Sequence, residues 1–171
     1  MGLNWITEEK DTNTLPNKKF LQKNIAHLIA LGFGTGLSKI APGTIGTLVA
    51  IPFFYLINAT NLYFQSLFVI VSFFIGLWSS SIASKSLKLK DPSCIVIDEI
   101  VAFLFLLVIT DPSPLQIVSL FCLFRAFDIW KPYPISWLEK KYSGGFGIMI
   151  DDFAAALIAL IFYWLINYAF R

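Results

Sequence analysis

Five acidic residues stand in or beside long apolar stretches of this chain of 171 residues: Asp98, Glu99, Asp128, Asp151 and Asp152. Charges next to membrane-spanning segments are energetically expensive, so by default they mark a functional site. Anions gathered together would repel one another or take up protons, and a divalent cation resolves that conflict. Oxygen ligands without a surplus of His or Cys favour Mg²⁺, Mn²⁺ or Ca²⁺ over zinc or copper. These five residues are therefore the candidate metal ligands.

A structural alternative stays open for some of these acids. Asp98 and the pair Asp151–Asp152 lie near predicted helix starts, where the helix dipole favours negative charge. Capping and ion pairing would then account for them without a metal. The single histidine, His27, lies far upstream, and we interpret Cys94 and Cys122 as reduced packing residues.

Two cations stand close to these acids. Arg125 and Asp128 are three residues apart and share a helix face, so an intrahelical ion pair is the simplest interpretation of them. Lys131 follows three residues later, just before Pro132. An arginine and a lysine beside a metal are also what a phosphate oxyanion requires, because Arg contacts it bidentately and Lys acts as a point charge.

Glycine-rich stretches offer a further anion contact, since glycines ahead of a helix let backbone N–H groups approach closely. They occur at 32–36 (GFGTG), 42–47 (PGTIGT) and 144–147 (GGFG). The same residues also allow tight turns and close helix packing in membranes, and none matches a nucleotide-binding motif. Lys39 could add positive charge near Pro42.

Missing motifs narrow the phosphate chemistry. A single histidine excludes a mechanism that uses one histidine as nucleophile and a second as acid. No Asp-x-Asp occurs, so the usual aspartyl-phosphate motif is missing. Neither cysteine has an arginine six positions later, so the loop of cysteine phosphatases is missing too. Of the familiar phosphatase mechanisms, metal-assisted hydrolysis is left.

The composition predicts a membrane protein. The chain is 57% hydrophobic and 14% charged, whereas soluble domains carry about 25% charged residues. A net charge of +2 without a basic block argues against nucleic acid. The N-terminus does not resemble a cleavable signal peptide, and nothing indicates an obligatory protein partner.

The apolar pattern predicts an all-α, polytopic bundle with about five spans, approximately 45–57, 62–84, 95–110, 115–129 and 153–170. Polar turns at 58–61 and 111–114 separate two pairs of spans, and a polar connection runs from Trp130 to Met149. A polar, frayed or surface-lying segment (1–24) precedes one helical membrane domain (25–171). Residues 25–36 are too few to cross a bilayer, which needs roughly 20, so a short interfacial or half-buried helix is expected there.

Positive charge falls on one side of this layout. With five spans, every Lys and Arg except Arg171, twelve of thirteen, lies on the side of the N-terminus. The positive-inside rule places that side in the cytoplasm. The segment from Asp98 to Thr110 has only thirteen residues, roughly 20 Å of helix, so we expect the acids to line a polar pocket sunk into the cytoplasmic leaflet.

Four segments resemble the phosphatidylglycerophosphatase A family, in family order: GFGTGLSKIAPGTIGT (32–47), IDEI (97–100), FRAFDIWKPYPI (124–135) and GGFGIMIDD (144–152). The resemblance covers roughly residues 26 to 170. It implies a Mg²⁺-dependent phosphatase of the bacterial inner membrane that converts phosphatidylglycerophosphate to phosphatidylglycerol. By motif, the five acids become its catalytic and metal-site candidates. Arg125 and Lys131 become phosphate-binding candidates, with Gly43 and Thr44 behind them, whereas the resemblance weakens the case for Lys39.

On this hypothesis Mg²⁺ polarises the phosphomonoester and activates a water, the two cations stabilise the transferred phosphoryl group, and a carboxylate not bound to metal acts as general base. A covalent aspartyl-phosphate stays open. The alternative function is a cation- or proton-coupled transporter that uses the acids as its ion site. Against it, the acids gather at one face, whereas an ion path would cross the membrane.

Overall fold

A computed structural model describes residues 16–169. All regular elements in that range are helical, which confirms the all-α prediction. The helices are α1 (Lys18–Lys23), α2 (Ile25–Ala30), α3 (Pro42–Ile57), α4 (Leu62–Leu87), α5 (Ile97–Thr110), α6 (Pro114–Trp130), α7 (Ile135–Lys141) and α8 (Gly144–Ala169), with a 3₁₀ segment, Gly32–Leu37, before α3.

Local sequence signals set the helix ends at both predicted polar turns. Asn61 caps α4, since its side-chain oxygen accepts a hydrogen bond from the Phe64 N–H at 2.9 Å. At the start of α6 the Gln116 side chain accepts from the Ser113 N–H at 2.9 Å. Pro114 occupies the first turn of α6, where its missing N–H has no helical partner to lose. Such caps satisfy groups that a helix end otherwise leaves unpaired.

Helix α5 lies at the centre of the bundle. Ten of its fourteen residues are buried, and it packs against α3, α4, α6 and α8. Phe103 of α5 stacks on Phe124 of α6 with ring centroids 5.7 Å apart. A helix that is apolar all round must be enclosed in this way. The enclosure fixes the first turn of α5, which carries Asp98 and Glu99.

Helices α4 and α8 are long and apolar enough to cross a membrane. Each has 26 residues, roughly 39 Å of helix, which exceeds the hydrocarbon core of about 30 Å. Only 28% of the most apolar window of α4 is buried inside the protein, and its outer face exposes side chains such as Phe74 and Trp78. These features fit a helical membrane protein.

The described end of the predicted polar N-terminal segment is a helix that lies on the surface, as one of the two predicted alternatives has it. Residues 1–15 lie outside the described range, but α1 forms within the predicted polar segment and buries none of its own residues. Phe20 of α1 stacks on His27 of α2, with ring centroids 4.0 Å apart. His27 is itself buried: its Nδ1 donates to the Phe20 carbonyl at 2.9 Å, and its Nε2 accepts from the Ser86 hydroxyl at 3.0 Å. The histidine therefore has a structural role, joining α1 and α2 to α4.

The start of α8 corrects one prediction. The sequence predicts a polar connection up to Met149, but α8 already begins at Gly144. A Cβ at Gly145 would overlap Ser81 Oγ and the Leu77 carbonyl of α4, so the glycine here permits close helix packing. Asp151 and Asp152 consequently lie in the third turn of α8. They are not at a helix start, and helix capping does not explain them.

Candidate active site

Four helices and one loop meet at the end of the bundle where α3 and α5 begin. The last turns of α6, the third turn of α8 and the loop before α5 complete a cavity of about 270 Å³. Its lining includes the five predicted acids, both predicted cations and one predicted glycine: Asp98, Glu99, Asp128, Asp151, Asp152, Arg125, Lys131 and Gly43. The tertiary structure thus brings most of the predicted site residues into one place.

Arg125 connects three of these helices through its Nη1 atom. Nη1 donates to Glu99 Oε1 of α5 at 2.8 Å and to Asp128 Oδ2 of its own helix at 2.5 Å. A longer contact of 3.5 Å reaches Thr47 Oγ1 of α3. The predicted pair with Asp128 is confirmed, but Arg125 also bridges α6 to α5. Largely buried charges need such multiple partners, because each has lost its hydration.

The first turn of α3 lies against the Glu99 carboxylate. A Cβ at Gly43 would overlap Glu99 Oε1, so a larger residue here would displace the carboxylate that Arg125 binds. One turn later the buried Thr47 donates its hydroxyl hydrogen bond to the Gly43 carbonyl at 2.8 Å. The glycine therefore lets the α3 backbone approach an acidic side chain. A direct contact between this turn and phosphate stays a prediction.

Glu99, Asp128 and Asp152 converge from three different helices. One carboxylate oxygen of each lies within 4.8 Å of an oxygen of the other two. Glu99 Oε2, Asp152 Oδ2 and the neighbouring Asp98 Oδ1 are buried without a hydrogen-bond partner in the described part of the chain. Burying a carboxylate oxygen without a hydrogen-bond donor costs free energy. These three oxygens are therefore candidate ligand atoms for a bound cation.

The three converging acids fit a hard divalent cation. All of their donor atoms are carboxylate oxygens, the ligand type that Mg²⁺ takes in proteins. Mg²⁺ is usually held by one or two carboxylates together with water and substrate phosphate, and the unpartnered oxygens of Glu99 and Asp152 offer such ligand atoms. The residues present therefore fit the metal that the family resemblance implies. The identity of the ion stays a prediction.

Lys131 forms a second ion pair beside the Arg125 network. Its Nζ donates to Asp151 Oδ2 at 2.7 Å and to Glu139 Oε1 at 3.1 Å. Burial alone would lower the pKa of the Lys131 ammonium, but its hydrogen bonds to Asp151 and Glu139, and the charges of both acids, raise the pKa above its ordinary value. Lys131 is therefore a permanent cation at the cavity wall.

A second cavity of about 290 Å³ adjoins the first and shares Asp91 and Asp151 with it. Its other lining residues come from the loop before α5, from α7 and from the start of α8, and include Lys90, Glu139 and Lys140. Asp91, Glu139 and Asp151 form a second group of three acids with oxygens within 4.8 Å of one another. We call the first space the inner cavity and this one the outer cavity.

Comparison with known proteins decides the family. The family model described as phosphatidylglycerophosphatase A matches residues 28–167. The chain belongs to the phosphatidylglycerophosphatase A family. It is 41% identical over 134 residues to the phosphatidylglycerophosphatase A of Escherichia coli (strain K12), covering 78% of each chain. It is 38% identical over 159 residues to that of Haemophilus influenzae, covering 92% of this chain and 98% of the relative. No solved structure matches the chain.

Membership of the phosphatidylglycerophosphatase A family confirms the resemblance seen in the four sequence motifs, all of which lie within the matched residues. Both relatives carry the name of a phosphatase. The comparisons give the transporter alternative no support.

Two residues considered in the sequence analysis do not line either cavity. Thr44 is half-exposed on the first turn of α3, and Lys39 is exposed in the preceding loop. Thr47, which the sequence analysis did not single out, is the threonine of α3 that contacts Arg125. The spacing of four residues that places Thr47 one helical turn after Gly43 is the signal that could have identified it.

Two acids at the cavities, Asp91 and Glu139, were also missed. Both lie in the polar connections on the side that carries the predicted site, and that shared side is the available signal.

The two cysteines, both predicted to be packing residues, differ in their surroundings. Burial raises the pKa of the Cys94 thiol to about 11, which fits a packing residue. Cys122 is exposed on α6, so its assignment as a packing residue within this chain is wrong.

Proposed function

We propose that this protein hydrolyses the phosphomonoester of phosphatidylglycerophosphate, releasing phosphatidylglycerol and inorganic phosphate, as a step of phospholipid biosynthesis. The observation that carries the proposal is the inner cavity, where five acids, Arg125 and Lys131 meet in a chain of the phosphatidylglycerophosphatase A family. Acidic ligands for a cation, with cations for an oxyanion, are what phosphate ester hydrolysis requires.

Glu99, Asp128 and Asp152 are the residues that would hold Mg²⁺, with Asp98 beside them. A bound Mg²⁺ supplies Lewis-acid stabilisation of phosphate charge and lowers the pKa of a coordinated water. The unpartnered oxygens of Glu99 and Asp152 support this assignment, as does the position of Gly43, which allows the start of α3 to close on the Glu99 carboxylate.

Arg125 and Lys131 bind and orient the phosphate. All three contacts of Arg125 are made by Nη1, and its Nη2 has no hydrogen-bond partner within residues 16–169, so that group is available for a phosphate oxygen. Lys131 uses two of its three N–H donors on Asp151 and Glu139, which leaves the third for substrate. Both cations are already fixed by carboxylates, and preorganised charge of this kind stabilises a transition state without reorganisation.

Asp98 is our proposed general base. It lines the inner cavity, its side chain is buried, and its Oδ1 has no hydrogen-bond partner among the described residues. An oxygen in that state can accept the proton of an attacking water. Asp98 and the metal-site candidate Glu99 both line the inner cavity, which keeps Asp98 in reach of the same phosphate.

We further propose that the five long helices α3, α4, α5, α6 and α8 each enter the bilayer, with the N-terminus and the inner cavity on the cytoplasmic side of the bacterial inner membrane. The bias of Lys and Arg to that side supports this orientation. Helices α3, α5 and α6 have 16, 14 and 17 residues, fewer than the roughly 20 of a full span. A cavity at their ends would then lie at the depth of lipid head groups, where acyl chains of the substrate can stay in the bilayer.

The test is phosphate release from phosphatidylglycerophosphate by purified protein in detergent, with Mg²⁺ and with chelator, comparing wild type and Asp152→Asn. We expect release that needs Mg²⁺ and falls at least about a hundredfold in the variant, roughly 2.7 kcal/mol of transition-state stabilisation. The matched control is Asp111→Asn, which removes one exposed carboxylate at the opposite end of α5. Absence of release from folded wild-type protein would contradict the proposal.

A further inference from the structure

We propose that Glu139 is a positioning residue for phosphate hydrolysis, acting through Lys131, and this inference rests on the proposed function. Glu139 lies on the short helix α7, outside the inner cavity. Its carboxylate nevertheless holds the ammonium of a residue that lines that cavity, at 3.1 Å. Nothing in its local sequence distinguishes it from a surface glutamate beside Lys140 and Lys141.

The backbone of Lys131 does not by itself aim the side chain. Lys131 is the capping residue that follows the last residue of α6, Trp130, and it adopts a left-handed conformation with φ 45°. Four rotatable bonds separate the Lys131 backbone from its ammonium, so the ammonium is directed by whatever binds it. Two carboxylates do so, and they differ: the Asp151 side chain is 4% exposed, whereas that of Glu139 is 40% exposed.

This difference gives the two acids different roles. Asp151 is the inner partner and neutralises Lys131 inside the protein. Glu139 is the outer partner, and it determines where between the two cavities the ammonium stands. Without the Glu139 carboxylate, the Lys131 ammonium would still be bound by Asp151. It would lose its second hydrogen bond, and with it the contact that sets the direction of the third N–H.

The rest of the structure fixes Glu139 in place. Ile135, in the first turn of α7, is fully buried and anchors that helix. Lys90 reaches across from the loop before α5 and donates to the Glu139 carbonyl at 3.2 Å. Glu139 is therefore held on both its backbone and its side chain, which is the support a positioning residue needs.

The experiment is a double-mutant cycle that combines Glu139→Ala with Lys131→Gln, measuring kcat and KM for phosphatidylglycerophosphate with saturating Mg²⁺. We expect Glu139→Ala to lower kcat about tenfold and to change KM by less than about threefold, since orientation matters most in the transition state. In the Lys131→Gln background Glu139→Ala should have no further effect, because residues that act as a unit are non-additive. Single-turnover assays measure rates slow enough to compare Lys131→Gln with the double variant.

Glu139→Gln separates positioning from charge. The amide oxygen still accepts the Lys131 hydrogen bond, so a positioning role predicts that this variant keeps more activity than Glu139→Ala. Melting temperatures of all variants in detergent identify any that are poorly folded, and Asp111→Asn again controls for the loss of a carboxylate. The changes in melting temperature of the Glu139→Ala, Lys131→Gln and double variants should also be non-additive.

The outcomes distinguish this inference from the proposed function. Wild-type protein that releases no phosphate would overturn the proposed function itself. Active wild type with wild-type rates in Glu139→Ala, or with additive effects of the two substitutions, would overturn only the role of Glu139. A glutamine variant as slow as the alanine variant would also overturn positioning, since charge alone would then be the requirement.

Discussion

Gly43 lies so close to Glu99 that a side chain at position 43 would occupy the space of the Glu99 carboxylate. The two residues are distant in sequence, and their contact brings the start of α3 to the start of α5. It also places Glu99 Oε1 where Arg125 binds it at 2.8 Å. The close approach of the α3 backbone to this carboxylate thus forms one wall of the inner cavity, which both residues line.

Gly43→Ala should therefore displace the Glu99 carboxylate and lower kcat by at least about tenfold, equivalent to roughly 1.4 kcal/mol. Overpacking at such a contact also destabilises proteins by about 1–3 kcal/mol, so melting temperature should fall as well. The measurement is steady-state phosphate release together with thermal unfolding in detergent. Ile45→Ala, on the exposed side of the same helix, is the control, and equal behaviour of the two variants would count against the contact.

Arg125→Ala should be strongly destabilising as well as inactive. It leaves Glu99 and Asp128 facing each other without their shared cation, and breaking a buried ion pair in this way costs about 3–5 kcal/mol. Arg125→Lys should recover part of the stability but less of the activity, since an ammonium does not reproduce the planar fork of the guanidinium. Thermal unfolding measures the first effect and phosphate release the second, with the exposed Lys85→Ala as control. A fully stable Arg125→Ala protein would be inconsistent with the network.

Mg²⁺ should raise the melting temperature of the wild-type protein in the absence of any substrate. A ligand that binds only the folded state stabilises it by about 2.7 kcal/mol when present at a hundred times its dissociation constant. Asp152→Asn, which keeps the shape of the side chain but removes one charged ligand, should reduce the shift. Equal shifts in both proteins would place the ion elsewhere.

Cysteine labelling tests the membrane orientation. In a background with Cys94→Ala and Cys122→Ser, we introduce Lys85→Cys at the end of α4 or Ala59→Cys in the turn before it, both at exposed positions. We use cells whose outer membrane has been made permeable and whose inner membrane is intact. A membrane-impermeant maleimide should label Ala59→Cys in these cells, and Lys85→Cys only after the inner membrane is also made permeable. The reverse pattern would invert the orientation, and labelling of both in intact cells would contradict a span between them.

The helical class, the turns between α3 and α4 and between α5 and α6, and the family were all predictable from the amino-acid sequence. These features depend on local information: runs of apolar residues, capping residues such as Asn61, and motifs that are contiguous in the chain. The five acids and two cations were also identifiable, because charges beside apolar stretches stand out at the level of composition.

How those charges pair depends on the packing of the helices. Arg125 contacts Glu99, 26 residues away, and Thr47, 78 residues away, and no local pattern specifies such distances. The sequence predicted a polar connection up to Met149, yet α8 begins at Gly144, where Gly145 packs closely against α4. The sequence analysis did not single out Glu139, and only the fold of α7 brings its carboxylate to Lys131. Helix formation follows from neighbours in sequence, whereas ion pairs across helices follow from packing, which depends on the whole chain at once.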